Sequence, residues 1–484
     1  MTDDVPTNDN VWVGDVLQRR KYATFLTQYL ADKKTSFVIN INAPWGSGKS
    51  FFLEKWHEDV KKVHPSVLFN AWENDFSNDP LLSVISCIDS CLLPLLPNDN
   101  ENSSVVENIY AGSGRLLKSV APILAKAAAA KIIGKDGMNE LANISLENEK
   151  TTTEVIGKLT EELVKNNKAT EKAVDDFKTS LSVLVDRLTD DKKKPPLKNP
   201  LFIFIDELDR CRPLYAIELL ERIKHLFGSP GVVFVIATDT DQLKHSVKSI
   251  YGSGFDSSLY LRRFFDQTYY LPAPNVNEYS KLLFLNFESS KKYFRYSISA
   301  SGNSELNSRG HTDEYVVSDQ YTLKTDKTEY AELILIFTMF SDYFGLDLRT
   351  QNQCYEKILA IVSAFSDEDE IHFSYLTYLV MLEARNTEMF DQYFGITAKP
   401  SHKIKDIIAD KYSSSLNVRI RNGLVTPQDF IDFYSKYAFY SIKDITKSIN
   451  DRKETREDWL RGIQESIASI SKYKEKVMLA SELS

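Results

Sequence analysis

Two glycines, a lysine and a serine close the stretch "NAPWGSGKSF", residues 42–51. Gly46 and Gly48 allow the backbone to turn its N–H groups inward around an anion. Lys49 is expected to reach the outer phosphates of a nucleotide, and the Ser50 hydroxyl to hold Mg²⁺. Pro44, Trp45, Gly46, Ser47, Gly48, Lys49, Ser50 and Phe51 are the expected nucleotide contacts, with Ala43 where the phosphate-loop pattern has its first glycine. A second candidate lies in "PLFIFIDELDRCRP", 200–213. There Asp206 suits the Mg²⁺ side of a phosphoryl-transfer site. Glu207 suits the orientation or deprotonation of an attacking water. Two adjacent carboxylates are costly to bury unpaired, which argues for a cation beside them. The predicted catalytic set is Lys49, Asp206 and Glu207, and the predicted metal ligands are Ser50 and Asp206.

These residues need strands and helices to place them. "SFVINI", 36–41, is short, apolar and β-branched, so it reads as a buried strand. "FFLEKWHEDVKK" follows the loop with Phe52, Leu53 and Trp56 on one helical face. The helix start adds its positive dipole end to the loop. Leu201–Ile205 is unbroken apolar, as in a strand covered on both faces. Residues 65–72 read as another strand, ending at Trp72; Trp45 and Trp72 together suggest a packed wall. "GVVFVIATD" is the strand expected after the acid strand, with Thr238 or Asp239 in a sensor position beside the terminal phosphate. Arg262 and Arg263 precede the last strand, "QTYYLP", and are candidates for an arginine finger or a structural ion pair. Residues 12–34 read as an amphipathic helix; Arg19, Arg20 and Lys21 could approach the adenine or phosphates, with a solvated face the favoured placement.

"PWGSGKSF", "LFNAWEND" (68–75), "FIDELDRCRP", "AIELLERIKHLF" (216–227), "VVFVIATD" and "YLRRFFDQTYYLP" (260–272) together resemble the KAP family of P-loop NTPases. The likeness covers about residues 12–275, and "LDLRTQNQ" (346–353) more loosely. It implies an α/β P-loop core of the additional-strand class: a mainly parallel sheet with helices on both faces. In that arrangement the acid strand is expected beside the P-loop strand. It implies ATP as substrate with Mg²⁺, and Arg349 as a second sensor. It also implies a conformational switch, with a role in bacterial anti-phage or plasmid-exclusion defence. A nucleotide-gated scaffold with little turnover is the alternative.

The 484 residues suit two or three domains. We expect the core at 12–275, interrupted by a helical insertion at 97–199. A helical lid-like domain at 276–398, with a mobile loop at 289–327, and a helical region at 399–484 are expected to follow. A net charge of −9 gives no indication of nucleic acid. The polar start "MTDDVPTNDN" is no secretory signal, and four cysteines make no disulfide framework, so a cytoplasmic setting is expected. Cys87 and Cys91 read as a core-facing stripe. In "LLKSVAPILAKAAAAKII", 116–133, lysines 118, 126 and 131 break the apolar run, so no transmembrane span is expected. A helical hairpin, a self-association helix or a peripheral membrane-surface helix fits that segment, and the insertion is the expected site of self-association or of a partner protein.

Overall fold

The computed structural model describes residues 11–96 (without 34 and 78), most of 172–189, and 197–287 (without 227–229 and 286). It further describes 293–295, 314–317, 321–324, 331–394 (without 366–369), a few residues between 408 and 431, and 467–481. The segment 116–133 lies outside the described residues, as do Val155, Leu159, Leu163, Val174 and Phe177 of the apolar stripe that, with Leu181, Leu184 and Leu188, predicts a long amphipathic helix over 150–189. Among those that are described, no helix is long and apolar enough to cross a membrane. The chain divides into two compact units, Met1–Pro272 and Ala273–Ser484.

The first unit is built on a five-stranded sheet in which every strand pairing is parallel. Its strands are β1 (Phe37–Asn42), β2 (Ser66–Asn70), β3 (Leu201–Asp206), β4 (Val232–Thr238) and β5 (Gln267–Tyr270). Their order is β2-β3-β4-β1-β5. The expectation that the acid strand lies beside the P-loop strand is therefore corrected. β4 hydrogen-bonds to β1 on one side and to β3 on the other. Local hydrophobic pattern defines a strand but carries nothing about its lateral neighbours.

Unbroken apolar strands follow from helices on both faces. Leu201, Ile203 and Ile205 of β3 join one core, with Val232, Phe234 and Ile236 of β4. Helices α3 (Pro80–Leu92) and α4 (Pro213–Leu226) and the helical residues 178–188 cover that face. Leu181, Leu184 and Leu188 are buried there, as their spacing predicts. Phe202 and Phe204 point to the opposite face, as do Val233 and Val235. There α1 (Arg20–Ala31) and α2 (Lys49–Val60) close the core around the fully buried Trp56. The first helix is shorter than predicted, because residues 11–17 form turns and Gln18 carries a φ of 51°. Of the cysteine pair, Cys87 is half-buried and Cys91 is exposed, so no core-facing stripe forms.

The second unit has its own core around the helix Phe373–Arg385, buried at every residue from Phe373 to Glu383. The helices Ala331–Tyr343, Leu348–Ser363, Thr387–Phe394 and Ile467–Ser481 contribute to it. Within 289–327, expected as a mobile loop, Glu314–Val317 and Tyr321–Lys324 pair as antiparallel strands and Tyr293–Arg295 pairs with Glu370–His372. The β-prone tyrosine and valine runs there were masked by the Ser-rich average. In the terminal region, expected helical, Val418–Ile420 and Gly423–Val425 also form a strand pair.

Candidate nucleotide site

Parallel register brings the chemistry to one edge. Asn42 pairs with Thr238 and with Tyr270, and Asn70 pairs with Asp206. All five strands thus end on the same side of the sheet, where ligands of open parallel sheets bind. The loop from Ala43 to Gly48 leaves β1 there and opens directly into α2.

The loop's shape depends on its two glycines. Gly46 has φ 74° and Gly48 φ 83°, a left-handed region that a Cβ disfavours. Outside glycine, only Gln18 and Glu207 among the described residues have positive φ. Ala43 is not one of them, so alanine serves in the place of the pattern's first glycine without backbone strain. Lys49, Ser50 and Phe51 form the first turn of α2, whose N–H groups lack intrahelical acceptors. They form the anion-binding end of the helix.

Lys49 is buried. Its Nζ donates to the carbonyls of Ala43 at 2.6 Å and Pro44 at 3.2 Å. Burial lowers its pKa, while Asp209, then Asp239, then Asp206 hold it up. The cation is thus folded back on its own loop, with Asp209, Asp239 and Asp206 close enough to act on it. Asp206 is 6 % exposed at the end of β3. Burial pushes its carboxyl up to about 6, although the Glu207 N–H hydrogen-bonds to it and the nearby Ser50 hydroxyl also works to lower it. A desolvated carboxylate in contact with the first turn of α2 suits a divalent cation. Asp206 and Ser50 are the residues here that fit one. The hydroxyl oxygen of Ser47 is buried without a partner.

Glu207 goes elsewhere. It has φ 58° and starts a 3₁₀ turn, Leu208–Arg210. Its carboxylate takes an ion pair from Arg210, Nη1 to Oε1 at 2.6 Å. Asp209 is buried and accepts from the Trp45 indole N–H. Trp45 and Trp72 are 46 % and 53 % exposed, so the expected packed wall is not formed. Each ring instead carries a polar contact: Trp45 with Asp209, and Trp72 with the Arg210 guanidinium 5.8 Å from its centroid. Phe51 and Pro44 are exposed.

The candidate sensors brace the loop. Asp239 caps α5 (Thr240–Tyr251) and accepts the Trp45 backbone N–H at 3.1 Å. Thr238 donates to Asn40 Oδ1 at 2.9 Å, within the sheet. Arg262 and Arg263 are exposed, just before β5. Arg349 is exposed at the start of Leu348–Ser363, in the second unit.

The profile of the KAP family P-loop domain matches residues 19–308. The chain belongs to the KAP family. No curated protein matches it. The KAP match contains both glycines, Lys49, Asp206 and Glu207, and agrees with the parallel sheet flanked by helices.

Of the cationic run Arg19, Arg20 and Lys21, for which the sequence favours a solvated face over an approach to the phosphates, Arg19 departs from the favoured placement. In the KAP domain its side chain is 1 % exposed. Nη2 donates to the Ser47 carbonyl at 3.1 Å and Nη1 to the Pro272 carbonyl at 2.8 Å. Burial lowers its pKa, with Tyr22 and Asp15 partly offsetting. The apolar partners Ala23, Leu26 and Leu30 on α1 were the available signal, since Arg19 shares their face.

Proposed function

We propose that this KAP protein binds ATP with Mg²⁺ and hydrolyses it, working as a nucleotide-driven conformational switch. The observation that supports it is the meeting of Asp206, from the end of β3, with Ser50, from the first turn of α2. Lys49 and the loop N–H groups bind and orient the phosphates, and exchange of Lys49's carbonyl partners for phosphate oxygens closes the loop on them. Ser50 and Asp206 would hold Mg²⁺, which when bound neutralises charge on the phosphate oxygens. Glu207, once its carboxylate is free of Arg210, takes the proton of an in-line water. Arg262 or Arg263 of a second copy is the proposed finger; turnover per chain that rises with protein concentration would support it. The cytoplasmic setting and self-association or partner binding through the insertion belong to this proposal, with membrane-surface contact through 116–133 as the lesser alternative; the role in anti-phage defence extends the family resemblance.

The deciding experiment is steady-state ATP turnover by the purified chain and by Glu207→Gln. The substitution removes the proton acceptor and keeps its size, so turnover should fall by about 10² with ATP affinity retained. A wild-type rate no higher than that of the variant rejects hydrolysis. The second reading, a nucleotide-gated scaffold, draws its support from the Glu207–Arg210 ion pair, which occupies the would-be base.

A further inference from the structure

We infer that Arg210 is a latch on Glu207: it holds the carboxylate away from water at the phosphate end and so restrains basal turnover. The inference rests on the hydrolase reading above and adds a regulatory residue to it. Three observations on one short turn lead to it.

The first is the backbone. Glu207 adopts φ 58°, ψ 27°, a conformation costly for a residue with a Cβ. Strain of this kind persists only where its surroundings enforce it, and it gathers at switch positions. Here the turn is closed by the Arg210 N–H on the Glu207 carbonyl at 3.1 Å. The second is the ion pair across the same turn, at 2.6 Å, with Glu207 12 % and Arg210 32 % exposed. Backbone and side chains therefore fix one conformer together, in which the carboxylate's best acceptor oxygen is spent on a guanidinium.

The third is what stands behind Arg210. Its guanidinium lies over Trp72, on the loop that follows β2. Arg212, two residues on, grips the same loop: Nε donates to Asp75 Oδ1 at 2.9 Å and the Arg212 backbone N–H to Asp75 Oδ2 at 2.6 Å. The loop also presents Phe76, 81 % exposed. The latch thus ties the proposed base to a surface loop, so a change in that loop alters the charge beside Glu207. The pair is partly buried but not sealed, with Arg210 at the rim, so water can compete for the guanidinium when the loop shifts.

The test is ATP turnover at saturating nucleotide for wild type, Arg210→Gln, Arg210→Lys, Glu207→Gln and the double variant Arg210→Gln/Glu207→Gln. Urea unfolding of each establishes that it is folded. Release of the pair should raise turnover at least about two- to fivefold in Arg210→Gln, the surface-pair range being the lower bound for a partly buried pair. Arg210→Lys keeps the charge and should return the rate towards wild type. The double variant should turn over no faster than Glu207→Gln, because the latch acts only through the carboxylate; a purely structural role for Arg210 would not give that dependence. A wild-type rate well above Glu207→Gln, with Arg210→Gln at or below wild type, overturns the latch and leaves the hydrolase standing. A gain in Arg210→Gln that persists in the double variant also overturns it. Equal rates for wild type and Glu207→Gln reject the hydrolase reading itself, and the latch with it.

Discussion

The guanidinium of Arg19 donates to the carbonyl of Pro272, 253 residues away in the chain, at 2.8 Å. Its other terminal nitrogen donates to Ser47 in the phosphate loop. One buried cation therefore fixes the loop against the chain that leaves β5.

Arg19→Lys cannot serve both carbonyls with one compact ammonium in the fork geometry of a guanidinium. It should cost about 1–3 kcal/mol of stability, the scale for hydrogen bonds to a charged group. Nucleotide affinity should fall as well, because Ser47 loses its anchor. Urea unfolding and calorimetric titration with ATP measure the two effects; an unchanged midpoint and affinity would show that the loop keeps its shape without the arginine.

Asp206→Asn should stabilise the nucleotide-free chain in EDTA at neutral pH. The folded chain keeps the carboxyl proton up to about pH 6, against a reference of 3.8. Folding therefore takes up a proton between those values. The stability this supplies is complete below pH 3.8 and is lost as pH rises through 6. Asparagine mimics the neutral acid, so its advantage should be roughly 3 kcal/mol at pH 8 and should vanish towards pH 4. With Mg²⁺ present the same variant should bind ATP more weakly. Denaturant melts across this pH range decide it; an advantage that grows on acidification would contradict the assignment.

Lys49→Ala removes the cation from the loop. ATP affinity should fall by about 10²-fold, in line with the loss of charge-assisted bonds to phosphate. Calorimetry is the check, and undiminished affinity would remove the phosphate-cradle assignment.

Ala43→Gly restores the usual first glycine of the pattern but should gain nothing in ATP affinity, because Ala43 already sits at negative φ. It should cost about 0.4–1 kcal/mol through the unfolded chain's added freedom. Gly48→Ala, at φ 83°, should cost about 1–2 kcal/mol and weaken nucleotide binding. Equal outcomes for the two substitutions would mean that backbone conformation does not govern the loop.

The strands, the loop and the Asp206–Glu207 pair were legible because each rests on local pattern: an apolar run, a glycine spacing, an acid at a strand end. Lateral order was not, since β4's place between β1 and β3 is decided by crossovers that no window of sequence contains. Arg19 escaped because its type argues for solvent, while its burial depends on two backbone carbonyls brought from distant segments. The direction of Glu207 escaped because a left-handed φ at a non-glycine residue is contrary to propensity. The exposure of Trp45 and Trp72 shows that residue type alone does not assign a large ring to a core.

Asn40, set between Ile39 and Ile41 in β1, hydrogen-bonds to Thr238 through Oδ1 and to Thr240 through Nδ2, and Asn42 Oδ1 accepts the Thr240 N–H. Side chains thus stitch β1 to the start of α5 in addition to the sheet ladder. A pull on either strand is shared by both, so the two should part in one step under mechanical load or in slow amide exchange, rather than peel residue by residue. Asn40 replaced by a hydrocarbon of similar size would leave that seam with the Asn42–Thr240 bond as its remaining side-chain stitch.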